Sequence, residues 1–133
     1  MRLLLDTQIV QMLVSDESRL SRSEQRIIND TRHSFAISAI SLWEMGVKWQ
    51  TLYRSGSRKG EVDPATVVKA LNLAEFPYQA LPLTFAHCTA ILEPSFDHND
   101  PFDRFLLAQA QVEGMRLFTR DGKFEHHPLA LYT

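Results

Sequence analysis

Two short apolar runs, each ending abruptly at an acidic residue, constrain this chain more than any other feature. Leu3-Leu4-Leu5 halts at Asp6-Thr7, and Leu117-Phe118-Thr119, led in by Met115-Arg116, halts at Arg120-Asp121-Gly122. Consecutive apolar residues with no polar alternation are what a strand buried on both faces of a parallel sheet requires. Two further runs fit the same description. Phe35-Ala36-Ile37-Ser38 reads as a strand, as does Tyr78 to Leu83, and Leu129-Ala130-Leu131-Tyr132 can supply a short fifth.

Helical segments separate the strands. Ile9, Val10, Leu13 and Val14 lie at roughly helical spacing, and a second helix opening at Leu20-Ser21 carries Ile27 and Ile28. A helix from Ser41 presents Leu42, Met45, Val47 and Trp49 before the polar loop Arg54 to Gly60. Asp63-Pro64 and Asp100-Pro101 each place a capping carboxylate before a proline at the first helical position. The first opens a helix with Val67, Val68, Leu71 and Leu73 on its core face, and the second runs to Val112 before Gly114 stops it. Thr84 to about Leu92 is a further helix, followed by a loop from Glu93 to Asn99. Strands alternating with helices predict an α/β fold: a central parallel sheet of four to five strands, helices on both faces, and a ligand site beyond the carboxyl ends of the strands.

Composition sets outer limits. At 133 residues and 44% hydrophobic content, residues 1–133 suffice for one domain with its own core. One cysteine, Cys88, permits no intrachain disulfide, which suits a reducing cytoplasm. Neither a signal peptide nor an apolar span is evident, so the expectation is a soluble cytoplasmic protein. A formal charge of −2 gives no global positive field of the kind dedicated nucleic-acid binders carry, yet neutralising four acids would turn it to +2.

Those four acids are Asp6 and Asp121, which follow strands, and Glu44 and Asp103, each expected in the first turn of a helix. All four are expected at the strand-end rim, where a few carboxylates can hold a hard divalent cation that keeps most of its waters. Each also has a local explanation. Asp6 can cap the helix after the first strand, and Ser41-Leu42-Trp43-Glu44 fits a capping box. Asp103 can interact with the dipole of a helix capped by Asp100, and Asp121-Gly122 is an ordinary turn pair.

The residues resemble the PIN-domain family and, within it, VapC-type toxins of type II toxin–antitoxin pairs. Four ordered blocks carry the resemblance: Leu3 to Thr7, Ile37 to Glu44, Asp100-Pro101-Phe102-Asp103-Arg104 running into Leu106 to Ala110, and Leu117 to Asp121. The resemblance implies a Rossmann-like three-layer α/β/α sandwich and an endoribonuclease dependent on Mg²⁺ or Mn²⁺. By position, Asp6, Glu44, Asp103 and Asp121 match the family's catalytic and metal-holding acids. Asp100 matches an additional acid, and Thr7 and Thr119 match supporting hydroxyls. Arg104 is placed to pair with a site carboxylate or a substrate phosphate. Gln8 departs from a common form with His after Asp-Thr. Hydrolysis leaving a 5′-phosphate and a 3′-hydroxyl, an RNA substrate, a cognate antitoxin and a homodimer are implied in the same way.

Other features are weaker. Arg54, Arg58 and Lys59 can form a mobile basic flap on RNA or a solvated loop. His98 lies near Asp100, whereas the adjacent His126 and His127 cannot readily face one metal. Met12, Trp43, Met45 and Trp49 can form a hydrophobic surface for an antitoxin or part of the core. Among rival functions, a haloacid-dehalogenase-like phosphatase needs a second aspartate where Gln8 stands. A receiver-like signalling domain needs a late lysine that Thr119-Arg120-Asp121 does not supply. A catalytically silent PIN-like RNA-binding domain usually lacks part of the acidic quartet.

Overall fold

Side chains alternate across a strand, so Leu3 and Leu5 enter one core with Phe35, Ile37 and Phe118, while Leu4 enters another with Ala36 and Leu117. The structure, a computed structural model, describes residues Met1 to Thr133. Strands β1 (Arg2–Leu5), β2 (Ser34–Ser38), β3 (Gln79–Leu81), β4 (Arg116–Thr119) and β5 (Ala130–Tyr132) pair in parallel in the order β3-β2-β1-β4-β5. On one face pack α1 (Thr7–Ser15), α3 (Ala39–Gln50) and α4 (Pro64–Leu73), with α2 (Arg22–Asn29) at their margin. On the other lies α6 (Pro101–Glu113), against which α5 (Phe85–Thr89) packs. The result is the three-layer α/β/α sandwich with an all-parallel sheet. No helix is long and apolar enough to cross a membrane.

Strand order places the ligand site. The chain steps outward from β1 through β2 to β3, then returns to the far side of β1 for β4 and β5. The direction of winding reverses between β1 and β4, and the crevice above their carboxyl ends is where an open α/β sheet leaves room for a ligand. A flavodoxin-like receiver would follow the order 2-1-3-4-5, which this sheet does not.

Several local expectations are corrected. The third helix starts at Ala39 with Ser38 as its cap, Ser38 Oγ accepting from Ile40 N at 3.0 Å. Ser41 is therefore inside the helix and makes no capping box with Glu44, which stands in the second turn. Strand β3 ends at Leu81 because Pro82 has no N–H to continue the ladder. Helix α5 stops at Thr89 rather than near Leu92. The Gln111 side chain on α6 captures the departing chain, donating to Ile91 O at 2.8 Å and accepting from Glu93 N at 2.9 Å. On α4, Val67 and Leu71 enter the core one turn apart, but Leu73 points away and is 76% exposed.

The basic loop after α3 is folded rather than free. Tyr53 N donates to Ser57 O, Lys59 N to Thr51 O, and Gly60 N to Lys48 O, while Leu52 and Arg58 form an antiparallel bridge. Arg58 lies over the Trp49 ring at 4.5 Å and donates to Trp49 O at 2.7 Å, giving one end of the loop a cation–π anchor. Gly60 closes the loop against the helix: a Cβ there would stand 2.6 Å from Trp49 N and 2.9 Å from Trp49 Cα. Gly60→Ala should displace the loop and lower stability by about 1–3 kcal/mol. Limited trypsin digestion should then cut faster at Arg54, Arg58 and Lys59, and an unchanged cleavage rate would contradict this packing.

Candidate active site

The chain leaves β1 at Asp6 and turns directly into α1. Asp6 N donates to Phe118 O at 3.0 Å, continuing the β1–β4 pairing, and Asp6 Oδ1 caps α1 by accepting from Thr7 N at 2.8 Å. Its other oxygen, Oδ2, accepts from Thr119 Oγ1 at 2.6 Å. The Thr119 hydroxyl in turn accepts from Asp121 N at 3.0 Å, so one buried side chain ties the ends of both central strands.

Glu44 arrives from α3 and is 7% exposed. Its Oε1 accepts from Thr7 Oγ1 at 2.9 Å, and Thr7 Oγ1 also lies 3.0 Å from Ser41 Oγ. Its Oε2 accepts from Lys48 Nζ at 2.8 Å, one helical turn on. Asp103, in the first turn of α6, accepts from Lys123 Nζ at 2.6 Å, and the same ammonium stands 3.5 Å from Asp121 Oδ2. Asp100 caps α6 by accepting from Phe102 N at 2.9 Å. Thus Asp6, Thr7, Glu44, Asp100, Asp103 and Asp121 line one cleft of about 320 Å³ at the β1–β4 switch point, and no hydrophobic residue lines it. A larger cavity of about 580 Å³ opens on Arg2, His33 and Ser34 at the opposite strand ends and gathers no comparable set of like charges.

The electrostatics follow from burial. Desolvation raises the Asp6 pKa from 3.8 to about 6; the Thr119 hydrogen bond opposes the shift, and the nearby Asp103 and Glu44 charges add to it. Asp103 is also raised, first by burial and then by Asp100 and Asp121, with Lys123 pulling the other way. The Asp103 hydrogen bond holds Lys123 above the usual lysine value. Burial works against the Lys48 charge, but its bond to Glu44 keeps it raised as well.

These residues suit a hard divalent cation by donor chemistry: every acidic side chain offers oxygen, and two ammonium groups already stand where positive charge is needed. Asp6, Glu44, Asp103 and Asp121 are the groups able to hold it. As they stand they form no ready cluster of three ligands, because Glu44 and Asp103 each turn toward a lysine.

Not every candidate joins the cleft. Arg104 makes no ion pair and borders a separate apolar cavity with Phe96, Phe105 and Ala108. The His98 ring packs on Phe96, and His127 is a loop staple, Nε2 lying 3.1 Å from Pro94 O and Nδ1 accepting from Leu129 N. Met12 and Met45 are fully buried core, which leaves Trp43 as the exposed member of that group at 66%.

Sequence reasoning missed three contributors. Lys48 carried a signal, since it lies four residues after Glu44 on one helix. Lys123 carried none, because its reach to α6 is a tertiary contact, and it supplies the late ammonium that Thr119-Arg120-Asp121 lacks. Glu24 is nearly fully buried, completes a capping box with Ser21, and accepts from Arg120 Nε at 3.0 Å. Burial opposes the Glu24 charge, but the Arg120 guanidinium keeps its pKa below the usual range and clamps the loop bearing Asp121.

The Asp6 shift has a consequence for stability. Because its folded pKa lies above its unfolded value, the folded protein binds this proton more tightly, and stability falls as pH rises from about 4 to about 6. Above that window the ionised carboxylate costs its full penalty. In metal-free protein at pH 7.5, Asp6→Asn should therefore be more stable than wild type by about 1–3 kcal/mol, with the advantage gone near pH 4. Chemical denaturation at both pH values checks this; a variant less stable at pH 7.5 would contradict it.

Three solved structures share the fold over nearly the whole chain. VapBC2 from Rickettsia felis bound to a promoter DNA fragment superposes with TM-score 0.64 at 18% identity, covering 100% of this chain and 98% of that one. A toxin–antitoxin complex from Klebsiella pneumoniae gives 0.63 at 20% identity, covering 96% and 94%. FitAcB from Neisseria gonorrhoeae gives 0.60 at 15% identity, covering 98% and 96%. Comparison with curated protein sequences finds no match. Residues 3–128 match the PIN domain, from the first strand past the last acid of the cleft, and the chain belongs to the PIN domain family.

Proposed function

We propose that residues 1–133 form one PIN domain that acts as a Mg²⁺- or Mn²⁺-dependent endoribonuclease, the toxin of a toxin–antitoxin pair, working in the cytoplasm as a homodimer. Members of the family are typically nucleases. The observation that carries the reading is the meeting of Asp6, Glu44, Asp103 and Asp121, from four separate segments, in one wholly non-hydrophobic cleft at the strand ends. The solved structure of the same fold from Klebsiella pneumoniae is a toxin–antitoxin complex, which supports an antitoxin partner. Trp43, exposed on α3 immediately before Glu44, and Val47 one turn on offer such a partner apolar surface beside the cleft.

When bound, a divalent cation supplies charge neutralisation at phosphate oxygens and an acidified water. The protein's own residues supply placement. Asp6 is held by Thr7 N–H and the Thr119 hydroxyl on different oxygens, which fixes its plane. The Thr7 hydroxyl holds Oε1 of Glu44 while Lys48 holds Oε2, so a hydroxyl rooted in β4 orients Asp6 and one rooted in α1 orients Glu44. Asp100 adds negative charge at the rim while its Oδ1 is committed to capping. A cleft so acidic repels a phosphodiester, so RNA engagement at its floor is conditional on the cation.

Asp6→Asn should keep the fold and lose RNA cleavage by more than about a hundredfold, since even indirect partners of metal ligands cost 10–100-fold. Chelator-sensitive scission of structured RNAs in Mg²⁺ or Mn²⁺ measures it; undiminished cleavage by the variant would refute the assignment. Thr119→Val, which deletes the hydroxyl between Asp6 and Asp121, should weaken Mn²⁺ binding by about 10–100-fold with the fold intact. The melting temperature of the wild-type protein should rise with added Mn²⁺ and return with EDTA. An unmoved melting temperature counts against a cation site.

A further inference from the structure

Lys123 is not in the position of an ordinary surface lysine. Its ammonium spans two acids from different elements, 2.6 Å from Asp103 Oδ2 on α6 and 3.5 Å from Asp121 Oδ2 after β4. Lys48, by contrast, pairs only with Glu44 on its own helix. Asp6 has no cationic partner, its oxygens meeting only the Thr7 N–H and the Thr119 hydroxyl. A cation taking Oδ2 of both Asp103 and Asp121 would stand where the Lys123 ammonium stands, and two positive charges do not share that place.

We propose that Lys123 is a displaceable counter-ion of the cleft. In the metal-free protein it neutralises Asp103 and Asp121. When a divalent cation takes those carboxylates, the ammonium swings outward and engages a phosphate of the RNA strand. This rests on the cleft being a cation-dependent RNA-cleaving site. The geometry permits the exchange: the Lys123 side chain is 35% exposed, while its backbone N–H is fixed to Asp121 Oδ1 at 3.0 Å. The flexible stem therefore pivots from a fixed point on the rim, and lysine, as a compact point charge, suits both partners. The exchange makes the cleft self-neutralising without cation and raises RNA affinity only with it.

The test compares wild type, Lys123→Gln and Lys123→Arg by calorimetric Mn²⁺ titration at pH 7.5. Removing the charge should tighten Mn²⁺ binding by about tenfold after allowance for solvent screening, whereas the arginine variant, which keeps a competing charge, should not tighten it. Binding of a single-stranded oligoribonucleotide, with Ca²⁺ replacing Mn²⁺ to hold the complex, gives the second readout. Lys123→Gln should weaken RNA binding in Ca²⁺ and lower the magnitude of the salt slope by about 0.7, the share of one single-strand phosphate contact. In EDTA the same substitution should leave RNA binding no weaker. Equal or weaker Mn²⁺ affinity in Lys123→Gln, or RNA binding in Ca²⁺ that it does not change, would overturn the counter-ion role. Absence of Mn²⁺ binding by the wild type would instead overturn the cation-dependent function on which it rests.

Discussion

The Asp6 carboxylate sits at the end of a strand with no exposed side chain after Arg2, and much of the surrounding structure serves to make that tolerable. A buried carboxylate without a cationic partner is costly, and protonation is its ordinary escape. Here burial is offset by two donors only, and the Thr119 hydroxyl is the more consequential because it also fixes Asp121. The β1–β4 pairing brings Thr119 to that place, through the register Leu5 to Phe118. Sheet topology, strand register and one hydroxyl thus bring two acids together that lie more than a hundred residues apart in the chain.

Around this pair the protein distributes positive charge without completing it. Lys48 meets Glu44 and Lys123 meets Asp103, but neither reaches Asp6. Farther out, Arg120 is committed to the buried Glu24, which steadies the Asp121 loop while keeping the guanidinium out of the cleft. Negative charge left concentrated in a place where packing would otherwise exclude it is a stability cost, and such costs cluster at functional sites.

How much of this was legible follows from the range of each interaction. The central strands were readable because burial on both faces leaves an unbroken apolar run, and Asp6 and Asp121 because they interrupt one. Helices α4 and α6 announced themselves by Asp-Pro starts. Local chemistry does not separate Ser38 from Ser41 as the cap of α3, because both are good caps; tertiary contacts do, Ser38 bonding Gln109 on α6 and Ser41 meeting Thr7 on α1. The end of α5 depended on Gln111, about twenty residues away. Lys123 and the Glu24–Arg120 clamp are side-chain contacts across the fold with no local period, and only the turn of α6 shows that Arg104, one residue after Asp103, faces away from the cleft. The three solved structures are only 15–20% identical to this chain, so what they share with it is the sandwich itself.

The central claim is that the four acids close on a divalent cation once one is supplied. Diffraction from crystals grown with Mn²⁺, recorded at the manganese absorption edge, tests this most directly. An anomalous peak in the cleft within ligating distance of Asp6 and Asp103, with the Lys123 ammonium withdrawn from Asp103, is the predicted result. A cleft without a peak, its lysine still bonded to Asp103 at saturating Mn²⁺, would contradict it.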